Sequence, residues 1–135
     1  MSTYDPQTTR LLSFHDAVAD FKSGADTPRD YLERCIATIE AREPEVKAFV
    51  VMDLDAARAA ADASTARYKS GATLSLVDGM PMGIKDLYDT ADLPTQLNSP
   101  LFEGMQPDFD AASVYALKQG GAIIIGKTTT TEFGL

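Results

Sequence analysis

The stretch DAASVYALKQGGAIIIGKT, residues 110–128, sets a short helix directly before an apolar run. Asp110 is a typical N-cap, and the glycine pair would stop the helix after Gln119. The AIII run, residues 122–125, has three β-branched residues in a row, which is typical of a strand buried on both faces. A helix followed by such a strand predicts an α/β layered fold in which this strand has further strands beside it.

The chain before this stretch is predicted to begin with helices. Each helix has a capping residue at its start and a glycine or proline near its end. The predicted elements are a helix over residues 14–22 capped by Ser13, a helix from Pro28 to about Arg42 capped by Thr27 and ended by Pro44, a short strand over residues 47–52, and a helix to about Ser70 capped by Asp53 and stopped by Gly71.

Composition limits the size and class of the protein. The 135 residues, 44% of them hydrophobic, suffice for one domain or part of one. A net charge of -8 argues against direct nucleic-acid binding, which needs clustered Lys and Arg.

The sequence also predicts where the protein is located. Met1 to Phe14 lacks the pattern of a signal peptide, and no apolar run has membrane-spanning length, so we expect a cytoplasmic protein without a membrane partner. Cys35 is the only cysteine, which excludes an internal disulfide and a cysteine-based zinc site.

Between the third and fourth helices the sequence changes character. Residues 78–92, DGMPMGIKDLYDTAD, mix Gly, Pro and acids with single apolar residues, which predicts a loop leading into a short strand. Residues 93–108 contain three prolines and no helical period, so we expect a long, ordered, irregular segment there.

Lys85 is the strongest candidate for chemistry in this region. It lies among Met82, Gly83, Ile84 and Leu87, and a lysine in apolar surroundings can lose its proton more easily. Far more often such a lysine extends its ammonium to water, and the residue patterns alone leave both readings open.

Three aspartates follow at every third position, Asp86, Asp89 and Asp92, and could suggest a metal site. Calcium loops place their oxygens more closely and around a defining glycine, so turn and cap roles are the better prediction. His15 and Cys35 are isolated on helical faces, where a packing or surface role is expected. No cofactor and no metal is therefore predicted.

Residues 121–128, GAIIIGKT, also satisfy the P-loop pattern for phosphate binding. That mechanism needs a strand before the first glycine, a curled loop between the glycines and a helix after the lysine. Here a helix comes first, the would-be loop holds three isoleucines, and the four threonines after Lys127 start a helix poorly. The pattern therefore predicts a strand.

Three motifs in order resemble the amidase signature family, and the resemblance covers nearly the whole chain. DGMPMGIKD, residues 78–86, is similar to the family segment that presents a catalytic lysine. TADLPTQLNSP follows where members have a Leu-Pro-Thr loop, and residues 110–133 resemble the helix-strand segment ending in Gly-Lys-Thr and Glu-Phe. The resemblance implies that residues 1–135 form the N-terminal part of one α/β/α layered domain with a mixed sheet, helices first.

The resemblance also implies a mechanism with two serines and a lysine. Lys85 would act unprotonated, taking a proton through a bridging serine from the serine that attacks an amide carbonyl of a small substrate. In the family both serines belong to a Gly/Ser-rich segment, which is expected downstream of Leu135. Within this chain, Ser75 and Ser99 lack such a setting and are interpreted as ordinary loop residues. A homodimer is possible for the full-length protein.

One departure bears on which member the chain resembles. Thr129 follows Gly-Lys-Thr where many members, including a tRNA-dependent amidotransferase component, have Asn. Together with the Leu-Pro-Thr loop this favours a general amidase. The alternatives are the corresponding component of a glutamyl-tRNA(Gln) amidotransferase, which would have partner subunits, and a non-catalytic remnant or fragment.

Overall fold

The computed structural model describes residues 13–135, which fold into four α-helices and a three-stranded sheet. The interpretation of the N-terminus as lacking a signal peptide rests on residues 1–14 and therefore lies almost wholly outside the described residues. The helices and strands follow one another in this order: α1 (Phe14–Ser23), α2 (Pro28–Val46), β1 (Phe49–Met52), α3 (Leu54–Ser70), β2 (Pro81–Lys85), α4 (Ala112–Gln119) and β3 (Ile123–Thr128).

The predicted caps of the first three helices are confirmed. Ser13, Thr27 and Asp53 each accept a hydrogen bond from a backbone N–H in the first turn of the helix that follows. Gly24 and Gly71 close α1 and α3 in the left-handed conformation, which glycine adopts without steric cost. Local capping chemistry thus places the ends of these elements.

The predicted end of α2 is wrong, because the helix continues through Pro44 to Val46. The proline ring has a helix-compatible φ, and in this position it removes a single hydrogen bond close to the helix end. Lys47 then closes the helix with φ 51°, and its N–H donates to the Glu43 carbonyl. The Glu43 side chain accepts from the N–H of Phe49 at 2.7 Å, which joins the helix end to β1.

The start of α4 also differs from the prediction. Ala111, not Asp110, is at the N-cap, and it makes no side-chain capping bond. The Asp110 carboxylate instead accepts from the N–H of Ala91 and from the Lys118 ammonium at 2.8 Å. It fastens the helix to the preceding irregular segment.

The sheet has the order β1-β3-β2, with β3 parallel to β2 and antiparallel to β1. This mixed sheet confirms the α/β prediction and places the three isoleucines of the AIII run in the central strand, which begins at Ile123 and continues to Thr128. Helices α2 and α3 cover one face, where Leu32, Ile36 and Ala61 pack with Ile123 and Ile125. Since β3 contains the Gly-Lys-Thr triplet and residues 129–131 after it are not helical, the P-loop pattern has no phosphate-binding geometry.

Glycine is required where β1 and β3 approach each other. A Cβ at Gly126 would meet the Val51 carbonyl oxygen and would lie 2.9 Å from the Met52 Cα, both of them backbone atoms.

The irregular segment after β2 contains one 3-10 turn, Pro100–Phe102, and a second turn, Glu132–Gly134, follows β3. Within residues 13–135, no helix has the length and apolar character needed to cross a membrane.

Candidate active site

Lys85 is the last residue of β2, and in the parallel pairing it is opposite Thr128, the last residue of β3. The carboxyl ends of two adjacent parallel strands therefore meet at one edge of the sheet, where α/β proteins place their ligands. The Lys85 side chain is exposed, and no carboxylate within residues 13–135 forms an ion pair with its ammonium. Its chemical role remains a prediction.

Gly83, two residues before Lys85 in β2, lets this strand pack closely against side chains of β3 and β1. A Cβ at Gly83 would lie 2.6 Å from the Thr128 Cγ2 and 3.4 Å from the Phe49 ring. A shallow cavity of about 250 Å³ runs beside this strand, and Lys85, Tyr88 and Leu117 are among the residues that line it. Lys85 therefore has space beside it into which a substrate or another part of the domain can fit.

A second lysine, Lys127, is fully buried near the carboxyl end of β3, the central strand. Its ammonium donates to the carbonyl oxygens of Tyr88 and Pro94 and to the hydroxyls of Thr90 and Thr95, at 2.7 to 3.2 Å. These oxygens all come from the segment that follows Lys85. The buried lysine therefore holds that segment against β3.

Asp86 is the ionic partner of this buried lysine. It is also fully buried, and its Oδ1 lies 3.4 Å from the Lys127 Nζ. Burial lowers the pKa of Lys127, and the Asp86 charge and hydrogen bond act against this effect. The Asp86 carboxylate also accepts from the N–H of Gln96.

Sequence reasoning missed this pair. It identified Gly-Lys-Thr only as the end of a core strand, and it predicted a turn or cap role for Asp86. The available signal was a lysine inside an otherwise apolar central strand, because a charge in that position needs a buried partner.

The other two predicted aspartates do not join Asp86 in a cluster. Asp92 pairs with Lys118 of α4 at 2.9 Å, and the backbone carbonyl of Asp89 accepts from the N–H of Ala111. Within residues 13–135, no three His, Cys, Asp or Glu side chains are grouped as a metal site would require. His15 is exposed and Cys35 half-buried, in line with packing or surface roles.

Ser75 and Ser99 both form hydrogen bonds within loops. The Ser99 hydroxyl donates to the Glu132 carboxylate at 2.8 Å, and the Ser75 hydroxyl donates to the Gly120 carbonyl at 2.7 Å. Asn98 adds a side-chain bond to the Thr130 carbonyl. The bonds from Asn98 and Ser99 tie the irregular segment to the end of the chain.

A separate buried carboxylate, Asp78, stabilises the opposite end of the sheet. It accepts from Arg67 through two guanidinium nitrogens, at 2.6 and 2.9 Å, and from the Ser64 hydroxyl at 2.7 Å. Burial by itself would raise the pKa of Asp78, but the hydrogen bonds from Arg67, the N–H of Leu74 and Ser64 outweigh it and lower that pKa. Gly121 leaves the space that this carboxylate occupies.

The fold is that of a known family. A family model described as Amidase matches residues 30–135, so the chain belongs to the amidase family. A component of the glutamyl-tRNA(Gln) amidotransferase of Rhodopirellula baltica is 37% identical to it over 125 residues, which are 93% of this chain and 25% of the relative. The chain thus spans about a quarter of the length of this curated relative.

Solved structures give the same result for the fold. A vestigial protein complex, described as revealing the evolutionary origins of an s-triazine catabolic enzyme, matches at 30% identity and TM-score 0.83 over 90% of this chain and 27% of its own. A bacterial aryl acylamidase of the amidase signature family matches at 29% identity and TM-score 0.72 over 86% and 24%. The predicted family and fold class are therefore confirmed.

Proposed function

We propose that this chain is the lysine-bearing part of an amide hydrolase that cleaves small-molecule amides, and that Lys85 is its base. The observation that carries the proposal is the position of Lys85, at the carboxyl ends of β2 and β3 with open space beside it and no counterion within residues 13–135. Membership of the amidase family supports the reaction class.

The chemistry proposed for Lys85 needs groups outside this chain. Unprotonated Lys85 accepts a proton relayed by a bridging serine from a nucleophilic serine, which attacks the amide carbonyl and forms an acyl-enzyme. Backbone N–H groups near the nucleophile stabilise the oxyanion. As the C–N bond breaks, the proton held by Lys85 passes through the bridging serine to the departing amine, and water then hydrolyses the acyl-enzyme to the acid. Both serines are assigned to a Gly/Ser-rich segment beyond Leu135 of the full-length protein, and the reaction as proposed uses no cofactor.

The test is Lys85→Ala in the full-length protein that carries this chain. Amide hydrolysis is expected to fall by roughly 10² to 10⁴, since that is the usual contribution of general-base catalysis. Lys85→Arg is expected to be as inactive, because a guanidinium keeps its proton.

Lys69→Ala is the matched control, because Lys69 is an exposed lysine at the end of α3. It is expected to leave turnover unchanged. Near-normal hydrolysis of a simple aryl or aliphatic amide by Lys85→Ala, with its fold intact by circular dichroism, would show that another group is the base.

A second candidate function is that of a glutamyl-tRNA(Gln) amidotransferase component, which is favoured by the 37% identity to such a protein. Thr129 and the Leu-Pro-Thr loop favour the general amidase. Turnover of small amides by the purified full-length protein alone supports the amidase. Turnover of glutamine only with added partner subunits and misacylated tRNA supports the amidotransferase, and no turnover in either assay supports a non-catalytic remnant.

A further inference from the structure

The buried lysine and the proposed base lie on opposite faces of the sheet. In the register of β2 and β3, Ile84 is opposite Lys127, and Lys85 is opposite Thr128. Successive residues of a strand project to opposite faces, so Lys85 points away from the face that holds Lys127. Asp86 comes next and, in ion-pair contact with Lys127, lies on the buried side.

This arrangement matters because of what a general base requires. Lys85 can accept a proton only when its amine is neutral, and a carboxylate next to it would favour the protonated ammonium. Asp86 is the next residue in the chain, so an unneutralised charge on it would act on Lys85 at short range even though the two side chains project to opposite faces. Its charge is instead taken up by Lys127, at 3.4 Å and out of contact with water.

We propose that Lys127 is a positioning residue for Lys85: as the counterion of Asp86 and the anchor of the segment after β2, it neutralises the carboxylate that follows Lys85 in the chain. The inference rests on the proposed function of Lys85. It adds a role for a fully buried side chain that is not among the residues lining the cavity beside Lys85.

Two of the other charged groups around the pair have partners of their own. Lys118 of α4 is bound to Asp92 and Asp110, and Glu132 accepts from the Ser99 hydroxyl. Strand β1, Phe49–Met52, carries no charged residue. The remaining ionisable groups nearby are Tyr88 and Asp89, which belong to the segment itself, and Glu103, which lines a cavity together with Asp86; none of the three forms an ion pair within residues 13–135.

The test measures the protonation of Lys85 directly, so that it does not depend on turnover. The full-length protein is labelled with acetic anhydride across a pH series, and mass spectrometry follows acetylation of Lys85 with Lys69 as internal reference. In Lys127→Met the charge of Asp86, the next residue in the chain, is no longer neutralised, and the midpoint of Lys85 labelling is expected to move up by ~1 pH unit. The acid limb of kcat/KM is expected to move with it.

The charge-free double variant Lys127→Met/Asp86→Asn is expected to label Lys85 with the parent midpoint, because both members of a neutral pair are gone. The structural control is Arg67→Met, which leaves an equally buried carboxylate, Asp78, unpaired at the other end of β2 and β3. It is expected to destabilise the fold without moving the Lys85 midpoint.

Two results would overturn the proposal. One is an unchanged midpoint in Lys127→Met, and the other is a shift that Asp86→Asn does not reverse. If Lys127→Met does not fold, the double variant decides alone: a midpoint lowered by ~1 pH unit would mean that Asp86 serves Lys85 directly. If the Lys85 midpoint shifts as expected but the full-length protein hydrolyses no amide, the amidase proposal is refuted, whereas the proposed role of the pairing between Lys127 and Asp86 is supported.

Discussion

Two ion pairs, each with a buried charge, lie at the two ends of the strand pair β2 and β3. Asp78, just before β2, is paired with Arg67, and Lys127, near the end of β3, is paired with Asp86. A buried ion that loses its partner is strongly destabilising, whereas the intact pair contributes little net stability. Each pair therefore fixes the conformation of a polar segment next to the sheet.

Removing the guanidinium at one end gives a stability prediction. Arg67→Ala leaves the Asp78 carboxylate buried without its cation, and the free energy of unfolding is expected to fall by about 3–5 kcal/mol. Urea denaturation of the full-length protein measures this. Arg34→Ala, which breaks an exposed pair with Asp26, is expected to change stability far less, and equal losses would contradict the prediction.

The same carboxylate predicts a pH dependence. The pKa of Asp78 in the folded protein is lower than its ordinary value of 3.8, so the unfolded chain binds the proton more readily. The stability from this group is complete above pH 3.8 and is lost as pH falls through the folded pKa. Asp78→Asn should flatten the acid side of a plot of unfolding free energy against pH, and an unchanged slope would contradict this.

At the scale of elements, helix α2 depends on a reciprocal cap. The Thr27 hydroxyl accepts from the N–H of Asp30 at 3.0 Å and donates to the Asp30 carboxylate at 2.8 Å. Thr27→Ala removes both bonds and is expected to cost about 1 kcal/mol of unfolding free energy. Thr38→Ala in the same helix, whose hydroxyl bonds only to the Arg34 carbonyl, is the control and should cost less in the same urea titration.

The elements show what the sequence can predict. Caps at Ser13, Thr27 and Asp53 and the apolar period of β3 are local signals, and they located the helices and the central strand. Pro44 and Asp110 were misjudged because their outcomes depend on contacts outside their own element, such as the bond from Ala91. Lys85 was identified by resemblance to a family motif, and its environment depends on long-range pairing.

At the scale of the whole molecule, the chain holds one side of the proposed site and about a quarter of the length of its relatives. Strand β3, predicted to have further strands beside it, is paired at both edges with β1 and β2. The outer edge of β2, next to the proposed base, has no strand paired to it within residues 13–135. The free edge therefore lies on the side where Lys85 needs further groups.

The 135-residue chain by itself is expected to associate and to show no amidase activity. Inactivity follows because a lysine without a serine nucleophile forms no acyl-enzyme. Association follows from the free edge of β2 and from apolar side chains such as Leu76 and Leu101, which are 74% and 83% exposed. The net charge of -8 opposes association, and salt screens that charge. The mass measured by light scattering should therefore exceed that of a monomer and increase with salt, whereas a cooperative, monomeric and active chain would contradict the assignment of Lys85 to one part of a larger site.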